Sequence, residues 1–163
     1  MSEEKQENAK TINSIYDFES YLETYENDLC NARSEIIISS PTLSRNKIFN
    51  FLSLTKKLRA DGVKVSVVTW HPDSYRYGND ENRIFLMETL RNAGIHLELV
   101  DDNCERYTII DREIVWYGTL NFLSKEDIDD SIIRIADKKI ADELINISFG
   151  KDSKAKEYGA MRE

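Results

Sequence analysis

Short β-branched runs alternate along this chain with longer stretches that place an apolar residue every three or four positions. Ile15, Phe18, Tyr21, Leu22, Tyr25 and Leu29 recur at helical spacing, which predicts an amphipathic helix over about residues 15–32. Residues 35–40 form a β-branched run ended by Pro41 and read as a buried strand. Phe49, Phe51, Leu52, Leu54 and Leu58 give the buried stripe of a second helix over about residues 46–60, stopped by Gly62. Residues 63–70 are a second strand, followed by a polar and aromatic loop over 71–78. A third helix is expected over about 80–93, with Ile84, Phe85, Met87 and Leu90 inward and Gly94 as its stop. Residues 95–100 alternate cleanly and predict another strand.

The second half changes rhythm. Residues 106–110 and 113–117 read as two short strands joined by a tight turn at Asp111 and Arg112. Residues 131–135 form a further strand, and about 138–147 a closing helix. Early strands separated by helices call for parallel pairing with right-handed crossovers. The expected fold class is therefore α/β, a mixed and mainly parallel sheet flanked by helices on both faces. Residues 1–11 are expected to be a disordered lead-in, 12–148 the folded domain and 149–163 a charged flexible tail.

Composition narrows the function classes. A chain of 163 residues, 40% apolar and 32% charged, fits one globular domain. No apolar stretch is long enough to cross a bilayer, and the first residues have no apolar signal-like region. Cys30 and Cys104 have no metal-ligand spacing, so a cytoplasmic protein with reduced thiols and neither metal nor cofactor is expected. The net charge of −8 counts against a broad grip on nucleic acid or anionic membrane, while leaving room for a local basic cleft.

Candidate chemistry is concentrated in Cys104-Glu105-Arg106-Tyr107-Thr108-Ile109-Ile110-Asp111, followed by Gly118-Thr119-Leu120-Asn121. This spacing resembles the active-site signature of the phospholipase D superfamily, His-x-Lys-x4-Asp followed by Gly-Ser/Thr-x-Asn. Cys104 stands at the His position and Arg106 at the Lys position. The resemblance spans about residues 14–147 and is closest to the single-motif bacterial-type domains, often found in or beside nucleic-acid-processing proteins. In that family the His attacks phosphorus, the Lys and Asn bind its oxygens, and a second His from a twin motif protonates the leaving group. A single copy implies a homodimer about a twofold axis, or a heterodimer with a chain carrying an intact motif.

The resemblance assigns roles residue by residue. Cys104 is read as a small half-buried thiol filling the site of the nucleophile, since a thiolate lacks imidazole's ability to act as acid, base and nucleophile by turns. Arg106 keeps the positive charge and offers a fork suited to phosphate, with pairing to Asp101, Asp102 or Glu105 as its alternative. Asp111 is expected to order its loop. Thr119 and Asn121 line the pocket with a hydroxyl and an amide. Asp130 stands where the family orients its catalytic His, and here is expected to accept from Arg106. His71 and Ser39 end strands at the edge where open α/β sheets bind ligands; Ser40 joins them. Tyr75, Arg76 and Tyr77 are loop candidates for substrate contact, whereas Trp116 and His96 are given to packing and solvent.

These assignments imply a phosphodiester-binding domain with weak or no hydrolysis. Nucleic acid is the expected ligand, because no amphipathic membrane-binding stretch favours lipid. The alternatives are a non-catalytic dimerisation or interaction module for a helicase-like or nuclease partner, and an active phosphodiesterase or nuclease using Cys104 or His71.

Overall fold

The computed structural model describes residues 14–74, 80–101 and 103–162. The chain runs β1 (Ser14–Asp17), α1 (Tyr21–Cys30), β2 (Glu35–Ser39), α2 (Arg45–Ala60), β3 (Lys64–Trp70), α3 (Asp80–Asn92), β4 (His96–Val100), β5 (Tyr107–Ile110), β6 (Ile114–Gly118), β7 (Ser131–Ala136) and α4 (Lys138–Arg162). The strands form one seven-stranded sheet in the order β1-β7-β6-β5-β2-β3-β4. This is the α/β architecture that the sequence predicts, with one correction to the sheet. Only β2–β3 and β3–β4 pair in parallel; β1–β7, β7–β6, β6–β5 and β5–β2 are antiparallel, so the sheet is mostly antiparallel. The hairpin β5–β6 inserts beside β2 in reverse, with Ser39 opposite Tyr107, and β7 and β1 extend that antiparallel half.

Two apolar layers hold the sheet. On one face α1, α2 and α3 cover Ile36, Ile38, Val65, Val67, Ile110 and Trp116. On the other, α4 lays Ala141 and Leu144 against Ile37, Tyr107, Ile109 and Val115. β2 is buried on both faces, which explains its unbroken apolar run. The Tyr107 hydroxyl donates to Ser148 Oγ at 2.5 Å and ties α4 across the sheet. The backbone of α4 continues helical to Arg162, beyond the end expected near residue 147.

Three other elements differ from the periodic reading. The expected helix over 15–32 divides into β1 and α1. Asp17 causes the break: its carboxylate accepts from the backbone N–H of Glu19 and Ser20 and from the Ser20 hydroxyl, a local turn that competes with helix. β1 then finds its partner in β7. In α3 the inward stripe is Arg83, Leu86, Met87 and Leu90, while Ile84 and Phe85 face outward. A buried arginine at the first position of an i, i+3, i+4, i+7 stripe shifts the apparent apolar face. In α2 the fully buried positions are Ile48, Phe51 and Thr55, and Phe49 is exposed.

Candidate functional site

One edge of the sheet gathers almost every residue singled out by the motif. β2 and β3 end there, while β5 begins and β6 ends beside them, because β5 runs antiparallel to β2 and β6 antiparallel to β5. Ser39, Ser40, His71, Cys104, Arg106, Thr119, Asn121 and Asp130 therefore lie at or just beyond strand ends on the same edge. Asp111 does not. It sits at the opposite edge, in the turn between β5 and β6.

Cys104 precedes β5 and is 9% exposed. Its Sγ lies 3.5 Å from Ser39 Oγ, 3.9 Å from the Val68 carbonyl and 3.8 Å from the Glu105 carbonyl. Burial pushes the thiol pKa up, outweighing the Ser39 hydrogen bond and the positive charges of Arg106 and Arg83. The thiol is thus kept protonated, with carbonyl oxygens ready to accept from S–H. Ser39 is fully buried and commits its own hydroxyl to the Glu105 carbonyl at 2.6 Å. Ser40 donates to the Thr42 carbonyl and accepts from Leu123 N–H. Both serines shape the edge; neither presents a free donor.

Arg106 is half-buried, and its Nε donates to Asn121 Oδ1 at 3.2 Å. Among the described residues it makes no ion pair. With Oδ1 accepting from Arg106, the Asn121 amide nitrogen and the remaining guanidinium N–H groups are donors, a chemistry suited to phosphate oxygens. Asn121 is held by its loop: Ser44 N–H donates to the Leu123 carbonyl at 2.8 Å, and Lys47 and Tyr21 both bind Glu126 Oε1.

Asp130 lies at this edge but has other partners than Arg106. Its Oδ1 accepts from Thr119 Oγ1 at 2.8 Å and its Oδ2 from Asp127 N–H at 2.7 Å, with Ser131 N–H donating to Thr119 Oγ1 at 3.0 Å. Arg106 donates to Asn121 instead, and the Asp130 carboxylate accepts from Thr119 and Asp127. Gly118 is required here by close approach: a Cβ would lie 2.1 Å from the Ser131 carbonyl oxygen. His71 follows β3 at this edge, but its Nδ1 accepts from Asp73 N–H at 3.2 Å, turning it toward its own loop. His96 lies at the far end of β4 beside Glu98. Tyr75, Arg76 and Tyr77 lie outside the described residues.

Asp111 earns its position structurally. It and Arg112 have φ of 56° and 54°, the left-handed pair of a tight hairpin turn, which costs L-residues about 1–2 kcal/mol each. In return the carboxylate accepts from Arg33, Ser34 and Glu35 N–H and from the Ser34 hydroxyl, and Arg112 Nε donates to Glu35 Oε1 at 2.9 Å. Although desolvation works the other way, these hydrogen bonds hold its pKa below the ordinary carboxylate range. A depressed folded-state pKa stabilises the fold above the ordinary range, and that contribution is lost as pH falls through the depressed value. Thermal unfolding followed from neutral to strongly acid pH should show Asp111→Asn least stable relative to the wild type near neutrality. The gap should narrow in acid; a gap independent of pH would refute the assignment.

One site residue escaped the sequence reading. Arg83, buried on α3, sends Nη2 to the Pro41 carbonyl at 3.0 Å, Thr69 Oγ1 at 2.9 Å and the Trp70 carbonyl at 2.5 Å. It gathers the ends of β2 and β3 and sets a positive charge near Cys104. The available signal was helical spacing back from Leu86, Met87 and Leu90, masked by Ile84 and Phe85. Among the described residues no group of side chains is arranged to hold a metal ion, and no helix is long and apolar enough to cross a membrane.

A sheet of this order, with the signature loop and the Gly118–Asn121 turn meeting at one edge, defines a phospholipase D-like domain. The family described as cardiolipin synthase, phospholipase D-like domain, matches residues 25–149, and the chain belongs to it. Among solved structures it is similar to NucT from Helicobacter pylori, at TM-score 0.64 and 16% identity over 85% of this chain and 93% of that one. It is similar also to Nuc, a phospholipase D family member from Salmonella typhimurium, at TM-score 0.62 and 17% identity over the same shares. TrmBL2, an archaeal chromatin protein with a novel mode of DNA binding, aligns at TM-score 0.59 and 12% identity over 88% of this chain and 53% of that one. At these identities the likeness is one of fold. No curated protein sequence matches the chain.

Proposed function

We propose that this domain binds a phosphodiester at Arg106 and Asn121 without appreciable hydrolysis. The observation that carries the reading is the burial of Cys104, which is 9% exposed and whose desolvation pushes the thiol pKa up despite the Ser39 hydrogen bond and the nearby arginines. Attack on phosphorus needs an exposed, activated nucleophile and a proton donor for the leaving group. Cys104 is neither exposed nor activated. Asp130, at the position that orients the family's His, is engaged by Thr119 and Asp127. What remains functional is the binding half of the site, a guanidinium fork beside an amide. Nucleic acid is the phosphodiester we favour, and a second copy of the chain about a twofold axis would complete the pocket.

Titration calorimetry with the dinucleotide thymidylyl-thymidine tests the binding claim. Saturable binding is expected, and Arg106→Ala should weaken it about tenfold or more, the effect of losing a charge-assisted hydrogen bond of ~1.5–3 kcal/mol. Bis(p-nitrophenyl) phosphate should be turned over no faster than in buffer, by wild type and Cys104→Ala alike. Turnover lost in Cys104→Ala would instead establish an active phosphodiesterase, and binding indifferent to Arg106 would end the pocket assignment. Light scattering behind a sizing column should report a dimer, and a monomer at all accessible concentrations would remove the twofold element.

A further inference from the structure

Outside the pocket, α2 and α3 carry a surface feature that the fold does not require. Phe49 and Phe85 are 42% and 43% exposed, and Ile84 beside Phe85 is 44% exposed. Between the two rings lies Arg45, its Cζ 5.6 Å from the Phe49 centroid and 5.5 Å from that of Phe85. The helices meet the core through other residues: Ile48, Phe51 and Thr55 on α2, and Arg83, Leu86, Met87 and Leu90 on α3. Among the described residues no carboxylate pairs with Arg45. An exposed guanidinium held between two part-exposed aromatic rings combines a π surface with an uncompensated positive charge.

The place of this cluster matters as much as its chemistry. Arg45 opens α2 immediately after Ser44, whose N–H donates to the Leu123 carbonyl. Leu123 lies two residues beyond Asn121, so the loop bearing the pocket amide is tied directly to the start of α2. The β2 and β3 ends that lead toward α2 and α3 lie at the edge where Arg106 stands.

We propose that Phe49, Arg45 and Phe85 form a stacking platform for unpaired bases of single-stranded nucleic acid. Charge complementarity selects this occupant over an apolar partner: the guanidinium suits a phosphate while the rings accept bases. The acidic chain gives the platform a physical purpose. With a net charge of −8, long-range attraction to phosphates is poor, and stacking supplies affinity that does not depend on net charge. A purely structural cation–π tie between helices would not need both rings so exposed. The inference deepens the pocket reading in that one strand would span both, yet each part can fail separately.

Fluorescence anisotropy with labelled dodecathymidylate, the full chain and moderate salt provides the test, with thymidylyl-thymidine titration as the pocket control. Phe49→Ala and Phe85→Ala should each weaken the oligonucleotide about five- to tenfold or more, the usual effect of losing a base-stacking ring. Phe49→Trp should restore binding, and an abasic strand of equal length should bind as weakly to wild type as the thymidylate does to the alanine variants. Dinucleotide affinity and thermal midpoint should change little in these variants. If oligonucleotide affinity is unchanged in both alanine variants, or if they alter only self-association, the platform is overturned while the pocket stands. If Arg106→Ala spares dinucleotide binding but the ring variants still lose the oligonucleotide, the pocket fails and the platform stands.

Discussion

Asp28→Ala should remove about 3–5 kcal/mol of stability, the usual cost of breaking a buried ion pair by deleting one partner. Asp28 on α1 accepts from Arg134 Nε at 2.6 Å and Nη2 at 3.1 Å, and from Trp116 Nε1 at 2.8 Å. All three residues are buried, and they join the first helix to β6 and β7. The alanine deprives the Arg134 guanidinium of its buried counter-charge and the indole N–H of its acceptor, and also opens a small void. Urea unfolding should show a large fall in midpoint with little change in slope, since the surface exposed on unfolding is nearly constant. The double variant Asp28→Leu with Arg134→Met should lose much less, because it removes both charges and keeps the volume. A single-variant loss below about 1 kcal/mol would show that the pair contributes no more than an exposed one.

Gly118→Ala should be the second most damaging change, and it should reach the site as well as the fold. The new methyl would stand 2.1 Å from the Ser131 carbonyl oxygen and 2.9 Å from Ile132 Cα. Both are backbone atoms of β7, so no flexible side chain can yield. The end of β6 must part from β7, losing the Thr119 N–H bond to the Ser131 carbonyl. Overpacking of this kind costs about 1–3 kcal/mol and sometimes more. Thr119 and Asn121 follow directly, so thymidylyl-thymidine affinity should fall along with the unfolding midpoint. Retention of both at wild-type values would show that β7 moves aside without strain, contrary to the close strand contact seen here.

The outcome of the sequence reading divides by the range of the interactions involved. Strands β2, β3, β4 and β7 and the β5–β6 hairpin were legible, because period-two alternation and β-branched runs are local patterns. Gly62 and Gly94 are legible as helix stops, and both have positive φ, at 100° and 82°. The split of the first helix is not legible because apolar spacing continues across Asp17, whose side-chain turn separates β1 from α1. The phase of α3 is hidden in the sequence because a charged Arg83 marks the buried stripe while apolar Ile84 and Phe85 face out. Strand direction is not legible because the antiparallel half of the sheet is joined by sequential pairs, β5–β6 and β6–β7, and by the long-range pairs β1–β7 and β2–β5.

The motif that ran from Cys104 to Asn121 was legible as a motif, and its spacing marked the edge where Arg106 and Asn121 meet. Sequence alone therefore determined the family and the residues worth examining, since each rests on short-range order along the chain. It could not determine that burial pushes the Cys104 thiol pKa up, that Asp130 accepts from Thr119 while Arg106 donates to Asn121, or that Asp111 serves the opposite edge. Nor could it reveal that Arg45 settles between Phe49 and Phe85. Those properties depend on which distant residue arrives beside a given side chain and on how much water it excludes, and only the packed sheet and its helices decide both.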